Sequence, residues 1–291
     1  MKLLDRRDFL QFAAGASTLA LASPASAQPL RSADVFTSDE AGTFVDSVVV
    51  LGETRAVLID AQTDRANATA LADTIDASGR TLETILITHV HPDHFLGLGV
   101  LMDRFPQARP VAHSALQPIL EQAGPPMFDQ IKAMMGPALA DRVVIPEPLG
   151  GDTMMLEGER ISILEPMHGD TDTITPVYVE SLDTLITSDI AFSGTHAYVA
   201  ENTDSAALER WRESLDALEA TGAGTVIPGH RLEGSPLDMT AFSHTRRYLD
   251  DWEAAMNEAS HATELRTALL ERVGDLPVPF FVDQAVAAVY P

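Results

Sequence analysis

The segment that most constrains this chain is an apolar run that ends in three histidines and an aspartate. Residues 84–94 read TILITHVHPDH, and the aliphatic and β-branched residues of 82–88 predict a buried strand. Polar groups placed directly after such a strand cost free energy unless they are paired or bind an ion. Neutral imidazoles and a carboxylate are ligands that suit zinc and similar divalent metals. The segment therefore predicts a metal site where the strand ends.

The local geometry of this segment is also predictable. The two-residue period of a strand points His89, His91 and Asp93 to one side, and Pro92 ends the strand. We expect Asp93 to cap a helix that continues through residues 95–101, with His94 on its first turn.

Four further polar residues each follow a strand-like run. Asp60 follows residues 56–59, His168 follows 160–165, Asp189 follows 184–188, and His230 ends 225–230. Each alone is typical of an ordinary turn or loop. Because loops gather at one end of a sheet, we expect these residues to meet the first cluster.

The motif His-x-His-x-Asp-His, followed by His168, Asp189 and His230, resembles that of the metallo-β-lactamase-fold hydrolases. That superfamily includes glyoxalase II, lactonases and β-lactamases. The likeness extends over nearly all of the chain after residue 27. It implies that residues 28–291 form a single hydrolase domain with C-terminal helices, folded as a four-layer αββα sandwich. Periodicity alone predicts only an α/β class.

The resemblance also implies two divalent metal ions and the residues that bind them. Asp60 would orient a ligand imidazole. We expect zinc, with manganese or iron as alternatives, because affinity order and cellular supply decide occupancy. The ligands would be His89, His91 and His168 for the first metal and Asp93, His94 and His230 for the second, with Asp189 bridging the two.

This ligand set implies a hydrolytic reaction. A hydroxide shared by the two metals would attack a carbonyl carbon, and Asp93 would be both ligand and catalytic proton acceptor. The expected substrate is a small-molecule ester, lactone, thioester or similar carbonyl compound. A β-lactamase is the nearest alternative. From another class, the alternatives are a di-iron oxidoreductase or sulfur dioxygenase, or a metal-binding protein without catalytic activity.

Three segments depart from the common pattern or lie outside it. Where the family usually has Gly-His-Thr, this chain has Met167 before His168 and then Gly-Asp-Thr-Asp-Thr, so Asp170 or Asp172 either turns the chain or serves the site. After Asp189, we expect substrate contact from His196 or Tyr198. Residues 124–137, rich in Met and bracketed by Pro, are predicted to form a short helix. Its apolar side chains would pack in the core, wall the substrate pocket or contact a second subunit.

Composition excludes several kinds of partner and site. The chain has no cysteine, so neither a disulfide nor a thiolate metal ligand is available, which argues against β-lactamases that use Cys for the second metal. With 43 acidic and 19 basic residues, the net charge is −24. Such a surface repels nucleic-acid backbones and anionic membranes, so we expect no nucleic-acid partner.

Residues 1–27 predict where the protein works. The Arg6-Arg7 pair precedes Phe9-Leu10, a modest apolar segment and an Ala-x-Ala sequence that ends at Ala27. This order resembles a twin-arginine export signal cleaved after Ala27. It predicts that the twin-arginine translocation machinery is a partner and that the protein is periplasmic or secreted. Without cysteine there is no site for a lipid, so we expect no stable membrane anchor.

Overall fold

The computed structural model describes residues 29–291, so the predicted export signal lies outside the described residues. Two sheets are each built from a continuous part of the chain. The first contains β1 (Ser32–Thr37), β2 (Asp46–Leu51), β3 (Arg55–Ile59), β4 (Thr81–Ile87), β5 (Arg109–Ala112) and β6 (Glu147–Pro148), in that order. The second has the order β11-β10-β9-β8-β7 and contains β7 (Thr153–Leu156), β8 (Glu159–Ile163), β9 (Val177–Val179), β10 (Thr184–Ser193) and β11 (Thr225–Arg231).

Helices cover the outer faces of both sheets. They are α1 (Arg65–Ala77), α2 (Pro92–Phe95), α3 (Leu98–Arg104), α4 (Gln117–Met135), α5 (Ser205–Glu219), α6 (Thr240–Glu258), α7 (Ala262–Val273) and α8 (Pro279–Val289). None of the helices within residues 29–291 is both long and apolar enough to cross a membrane.

The alternation of side chains along the strands creates the layers. In β2, Val48 and Val50 point between the two sheets, where they join Ile161 and other residues of the second sheet. Val49 and Leu51 point the other way, towards the core that includes residues of α1, α3 and α4. The outer face of the second sheet packs in the same manner against α5 to α8. The predicted αββα sandwich is therefore confirmed.

The elements before the histidine segment are regular, but predictions for the segment itself are wrong. The β2–β3 hairpin is antiparallel, with Val49 opposite Leu58, and α1 ends just before Gly79, whose φ is +70°. The strand β4 ends at Ile87, so His89 lies in a loop rather than on a continued strand. Asp93 sits inside the first turn of α2, whose N-cap residue is His91.

The predicted continuous helix over residues 95–101 is also interrupted. The helices α2 and α3 are separated at Leu96 and Gly97. The Gly97 backbone passes so close to the chain before α1 that an added Cβ would lie 2.2 Å from the Ala61 carbonyl oxygen. This contact fixes the cluster against the end of β3.

The segment 124–137 is not a separate helix. It is the second half of α4, which continues through Pro125 and Pro126. Each proline removes one helical hydrogen bond. The carbonyls that lose a donor belong to Glu121 and Gln122, which are exposed, so water can satisfy them. For this reason the proline pair does not end the helix.

Candidate metal centre

The histidine cluster lies beyond the carboxyl end of β4 and along the second halves of β10 and β11. The first half of the chain contributes His89 and His94, whose ring centroids are 4.1 Å apart. The second half contributes Asp189 and His230. All four side chains are at most 2% exposed. The sequence prediction that these strand ends meet is confirmed.

Asp189 is the centre of this arrangement. Its Oδ1 lies 3.1 Å from His94 Nε2, and its Oδ2 lies 3.1 Å from His230 Nε2 and 3.7 Å from His89 Nε2. Burial alone would raise the pKa of Asp189, but the surrounding imidazoles hold it well below its usual value. The carboxylate is therefore an anion that faces three imidazole nitrogens.

The backbone around Asp189 is shaped to aim this carboxylate. Ser188 has a left-handed φ of +48°, and the pairing of β10 with β11 shifts register on either side of it. Such irregularities redirect side chains near active sites. The carboxylate then lies over Gly229, where an added Cβ would come within 1.8 Å of Asp189 Oδ1. Only glycine fits before His230.

Asp60 lies at the place predicted for an orienting carboxylate. Its Oδ2 is 2.8 Å from His94 Nδ1, while the backbone N–H and hydroxyl of Thr88 donate to its two oxygens at 2.9 and 2.7 Å. Its φ of +62° is unusual for a residue other than glycine. Asp60 therefore directs Nε2 of His94 towards Asp189.

His230 is oriented from the opposite side of the site. Its Nδ1 lies 2.8 Å from the Thr43 carbonyl oxygen. A carbonyl oxygen can only accept a hydrogen bond, so Nδ1 carries the ring proton. The lone pair of Nε2 is thus available to a metal ion, and this nitrogen lies 3.5 Å from Asp93 Oδ2. The Thr43 hydroxyl donates to the same Asp93 oxygen at 3.2 Å. These contacts hold Asp93 at the entrance to the cluster.

His91 lies between two carboxylates. Its Nδ1 is 2.8 Å from Asp170 Oδ2, and its Nε2 is 2.9 Å from Glu201 Oε1. Burial acts to lower the pKa of His91, but these two carboxylates raise it well above its usual value. Sequence reasoning did not identify Glu201, because nothing in its local pattern distinguishes it from other surface acids.

The structure does not bring His168 into the cluster. Its Nε2 lies 2.7 Å from Asn202 Oδ1, and its Nδ1 lies 3.0 Å from Asp172 of the same loop. Asn202 in turn donates to the carbonyls of Gly169 and Asp170, at 3.1 and 3.0 Å. The geometry therefore does not support the predicted ligand role of His168, and Asp170 takes the position beside His91.

The donor atoms fit divalent cations. Among residues 29–291, His89 Nε2, His94 Nε2, Asp170 Oδ1 and Asp189 Oδ1 are buried and have no hydrogen-bond partner. Buried polar atoms are normally paired, so four such atoms in one place indicate that an ion completes them. The compatible groups, each with donor atoms within 4.8 Å of one another, are His89, His91, Asp170 and Asp189; Asp93, His94 and His230; and Asp60, His89 and His94. The first two groups suit a dinuclear centre.

A cavity of about 310 Å³ opens above the cluster. Asp93, Asp170 and Asp189 contribute to its lining, and its walls are mainly apolar. Tyr198 lines it, as predicted, and packs edge-on against the His91 ring at 5.2 Å. The other main wall residues are Ile131, Met134 and Met135 of α4 with Phe280 and Phe281 of α8.

His196 differs from its prediction, while the Met-rich segment follows one of its alternatives. His196 is 1% exposed and lies outside the cavity lining, with Nδ1 3.1 Å from the Tyr248 hydroxyl and its backbone N–H donating to Pro277. The geometry gives it a packing role. Met134 and Met135 wall the pocket. Sequence reasoning missed Phe280 and Phe281, although two aromatic residues after a Pro-rich turn were a usable signal.

The comparisons agree with this fold. The family model for the metallo-beta-lactamase superfamily matches residues 41–230. This chain belongs to the metallo-β-lactamase superfamily. Members of this superfamily are generally metal-dependent hydrolases. A search of curated proteins found no match.

Solved structures of the superfamily share the fold. A metallo-β-lactamase family protein from Thermus thermophilus is 20% identical, covering 89% of this chain and 91% of its own, with a TM-score of 0.63. A metallo-β-lactamase from Pontibacter korlensis is 19% identical, covering 77% of this chain and 99% of its own, with a TM-score of 0.55. At these identities the likeness shows the fold alone.

Proposed function

We propose that this superfamily member is an exported di-zinc hydrolase that cleaves a neutral ester or lactone with an apolar substituent. The observation that carries the proposal is the set of buried, unpaired imidazole and carboxylate atoms around Asp189, directly beneath an apolar cavity. The donor set supports the metals, and the cavity supports the substrate class.

The residues of the chain have separate roles in this reaction. Two bound divalent cations supply a Lewis acid and a water acidic enough to react at neutral pH. Asp93 borders the cavity and is held by Thr43, so it can accept a proton from the attacking water and pass it to the leaving oxygen. Burial raises the pKa of Tyr198, so its hydroxyl stays protonated and can donate to the substrate carbonyl.

The cavity lining favours an uncharged substrate. Among the described residues, neither Arg nor Lys lines this cavity, whereas aspartates occupy its floor. A substrate carboxylate would find no side-chain cation outside the metal centre, and the net charge of −24 opposes its approach. This favours an ester or lactone over a β-lactam that carries a carboxylate. The walls formed by Ile131, Met135 and Phe281 suit an alkyl or aryl group.

Metal analysis combined with a substrate panel tests the proposal. We expect two zinc equivalents per chain and hydrolysis of alkyl lactones and aryl esters, with much weaker activity on nitrocefin and an anionic thioester. Higher kcat/KM on nitrocefin would indicate the β-lactamase alternative. Bound iron with no hydrolysis of any panel member would indicate a di-iron oxidoreductase or sulfur dioxygenase. Zinc with no hydrolysis would indicate a metal-binding protein without catalytic activity.

Export is tested separately in cells. Changing both Arg6 and Arg7 to Lys should retain the protein in the cytoplasm, because the twin-arginine pair is the recognised feature of the proposed signal. Cell fractionation and immunoblotting measure the distribution. Unchanged periplasmic protein would refute the proposed route without affecting the proposed chemistry.

A further inference from the structure

We propose that Asp170, and not His168, is the third protein ligand of the first metal, beside His89 and His91, with Asp189 bridging. This ligand assignment rests on the proposed di-metal hydrolase. It concerns which side chains of this chain hold the metal, and it departs from the assignment that the resemblance implies.

The position of Asp170 is the first argument. Its side chain is fully buried, and its donor atoms belong to the same group as those of His89, His91 and Asp189, within 4.8 Å of one another. Its backbone N–H donates to the Asp189 carbonyl at 3.2 Å, which fixes the loop against β10. Among residues 29–291, Asp170 Oδ1 has no hydrogen-bond partner. A buried carboxylate in this state is stable only when it binds a cation or takes up a proton, and the neighbouring imidazoles and Asp189 make this a place for a cation.

The hydrogen bonds of His91 give a second argument. A neutral imidazole carries a single N–H, but His91 has a carboxylate oxygen within 2.9 Å of each ring nitrogen. Glu201 is held in place by the Thr171 hydroxyl, which donates to its Oε2 at 2.8 Å, so Nε2–H of His91 points to Glu201. The lone pair of Nδ1 then faces Asp170 Oδ2. A metal ion can therefore take the place of a proton between Nδ1 and Asp170 Oδ2, with Nε2–H of His91 kept on Glu201.

His168 gives the third argument, because its own partners keep it away. Its Nε2 lies 2.7 Å from Asn202 Oδ1, whereas its buried Nδ1 lies 3.0 Å from Asp172 without forming a hydrogen bond, so Asn202 is the partner that holds the ring. Asn202 is fully buried and holds the 169–170 backbone with its amide group. Moving His168 into the site would leave the Asn202 oxygen without its partner, which is costly in a buried position. The same asparagine thus holds His168 outside and the Asp170 loop inside.

The chemistry of the first metal changes as a result. A site with two imidazoles and two carboxylates is richer in oxygen than one with three imidazoles. Oxygen ligands favour manganese and other hard cations relative to a nitrogen-rich set. A ligand set with the Asp170 carboxylate in place of the His168 imidazole therefore narrows the difference in affinity between zinc and manganese at the first metal site.

Matched substitutions test the assignment in the full chain. Asp170→Asn, His168→Gln and the exposed control Asp172→Asn are passed through gel filtration in metal-free buffer, and retained zinc is counted by mass spectrometry. We expect two equivalents in the His168 and Asp172 variants. The Asp170 variant should retain one, with first-site affinity lowered at least about 100-fold. Loss of one zinc from the His168 variant, with two kept by Asp170→Asn, would overturn the assignment.

A second measurement does not depend on how the variants fold. Anomalous diffraction from crystals of the zinc-loaded wild-type protein locates both metals. We expect an Asp170 oxygen about 2.0–2.2 Å from the first zinc. A His168 nitrogen at that distance instead would refute the assignment while leaving the proposed function intact. Zinc bound as expected, with no activity on any ester or lactone, would refute the proposed function alone. A wild-type protein that binds no metal would refute both.

Discussion

Replacing Asp60 with Asn should weaken the second metal site by changing the tautomer of His94. The carboxylate receives four contacts, two from Thr88, one from His94 Nδ1 at 2.8 Å and a longer one from the Ser188 hydroxyl at 3.4 Å. An amide offers one oxygen and one NH2 group. If the oxygen stays on the Thr88 N–H, the NH2 group faces His94 Nδ1 and drives the ring proton to Nε2. Protonated Nε2 cannot bind a metal.

The size of the effect follows from the contact that is lost. A hydrogen bond to a charged group contributes about 1.5–3 kcal/mol. Loss of an orienting partner of a ligand imidazole lowers metal affinity about 10- to 100-fold, which corresponds to about 1.4–2.8 kcal/mol. Competition of the zinc-loaded protein against a chromophoric chelator should therefore show one unchanged equivalent and one weakened by one to two orders of magnitude.

Asp64 provides the matched control. It is also a buried aspartate, and its Oδ1 accepts from the N–H groups of Ala66 and Asn67 at the start of α1, away from the site. Because Asn is an equally good N-cap, Asp64→Asn should leave both metal affinities unchanged. Two zinc ions bound by Asp60→Asn with wild-type affinity would refute the tautomer argument.

Three further predictions concern the centre and its surroundings. Gly229→Ala should lose at least one metal equivalent, since its Cβ would lie 1.8 Å from Asp189 Oδ1, whereas Gly150→Ala, with open space around it, should keep both. Asp93→Asn should lower kcat about 10²- to 10⁴-fold. Because the residue is partly exposed, the free energy of unfolding should change by less than about 1 kcal/mol. A loss of activity that is explained by a matching loss of stability would contradict the catalytic role of Asp93. Burial lowers the pKa of His196 to about 4. As the pH falls, the His196 side chain of the unfolded protein therefore takes up a proton before that of the folded protein. The free energy of unfolding should decrease between about pH 6.5 and 4 by at most about 3 kcal/mol. In His196→Gln, the free energy of unfolding measured by urea denaturation should lack that part of the pH dependence. An unchanged pH dependence would refute the prediction.

The sequence predicted the α/β class and most of the centre because those signals are local, whereas the αββα arrangement was implied by the family resemblance. An apolar strand followed by His89, His91 and His94 is informative without any distant contact. Asp189 and His230 also come directly after apolar or β-branched runs, although in the structure both lie within their strands, β10 and β11. Once the sheets form, the strand ends have to lie close together, so the convergence of these residues was predictable.

The choice between His168 and Asp170 could not be read from the sequence. The two residues are separated by one position in the same loop, and both are plausible ligands. What separates them is a hydrogen bond from His168 to Asn202, 34 residues later in the chain. The continuation of α4 through its proline pair could not be predicted either. It depends on solvent reaching the Glu121 and Gln122 carbonyls, which a sequence pattern does not report.

The division of the centre between the two sheets determines when it can form. His89, His91 and His94 belong to the part of the chain that builds the first sheet, and Asp189 and His230 to the part that builds the second. A partly synthesised chain therefore cannot complete the first ligand set before Asp189 has been made, or the second before His230, and both sets need the two sheets to dock. Metal uptake comes last in the order of assembly. If the proposed twin-arginine signal directs export of the folded domain, the ion acquired is set by the metals available in the cytoplasm, where the domain folds, and not by those at the place of work.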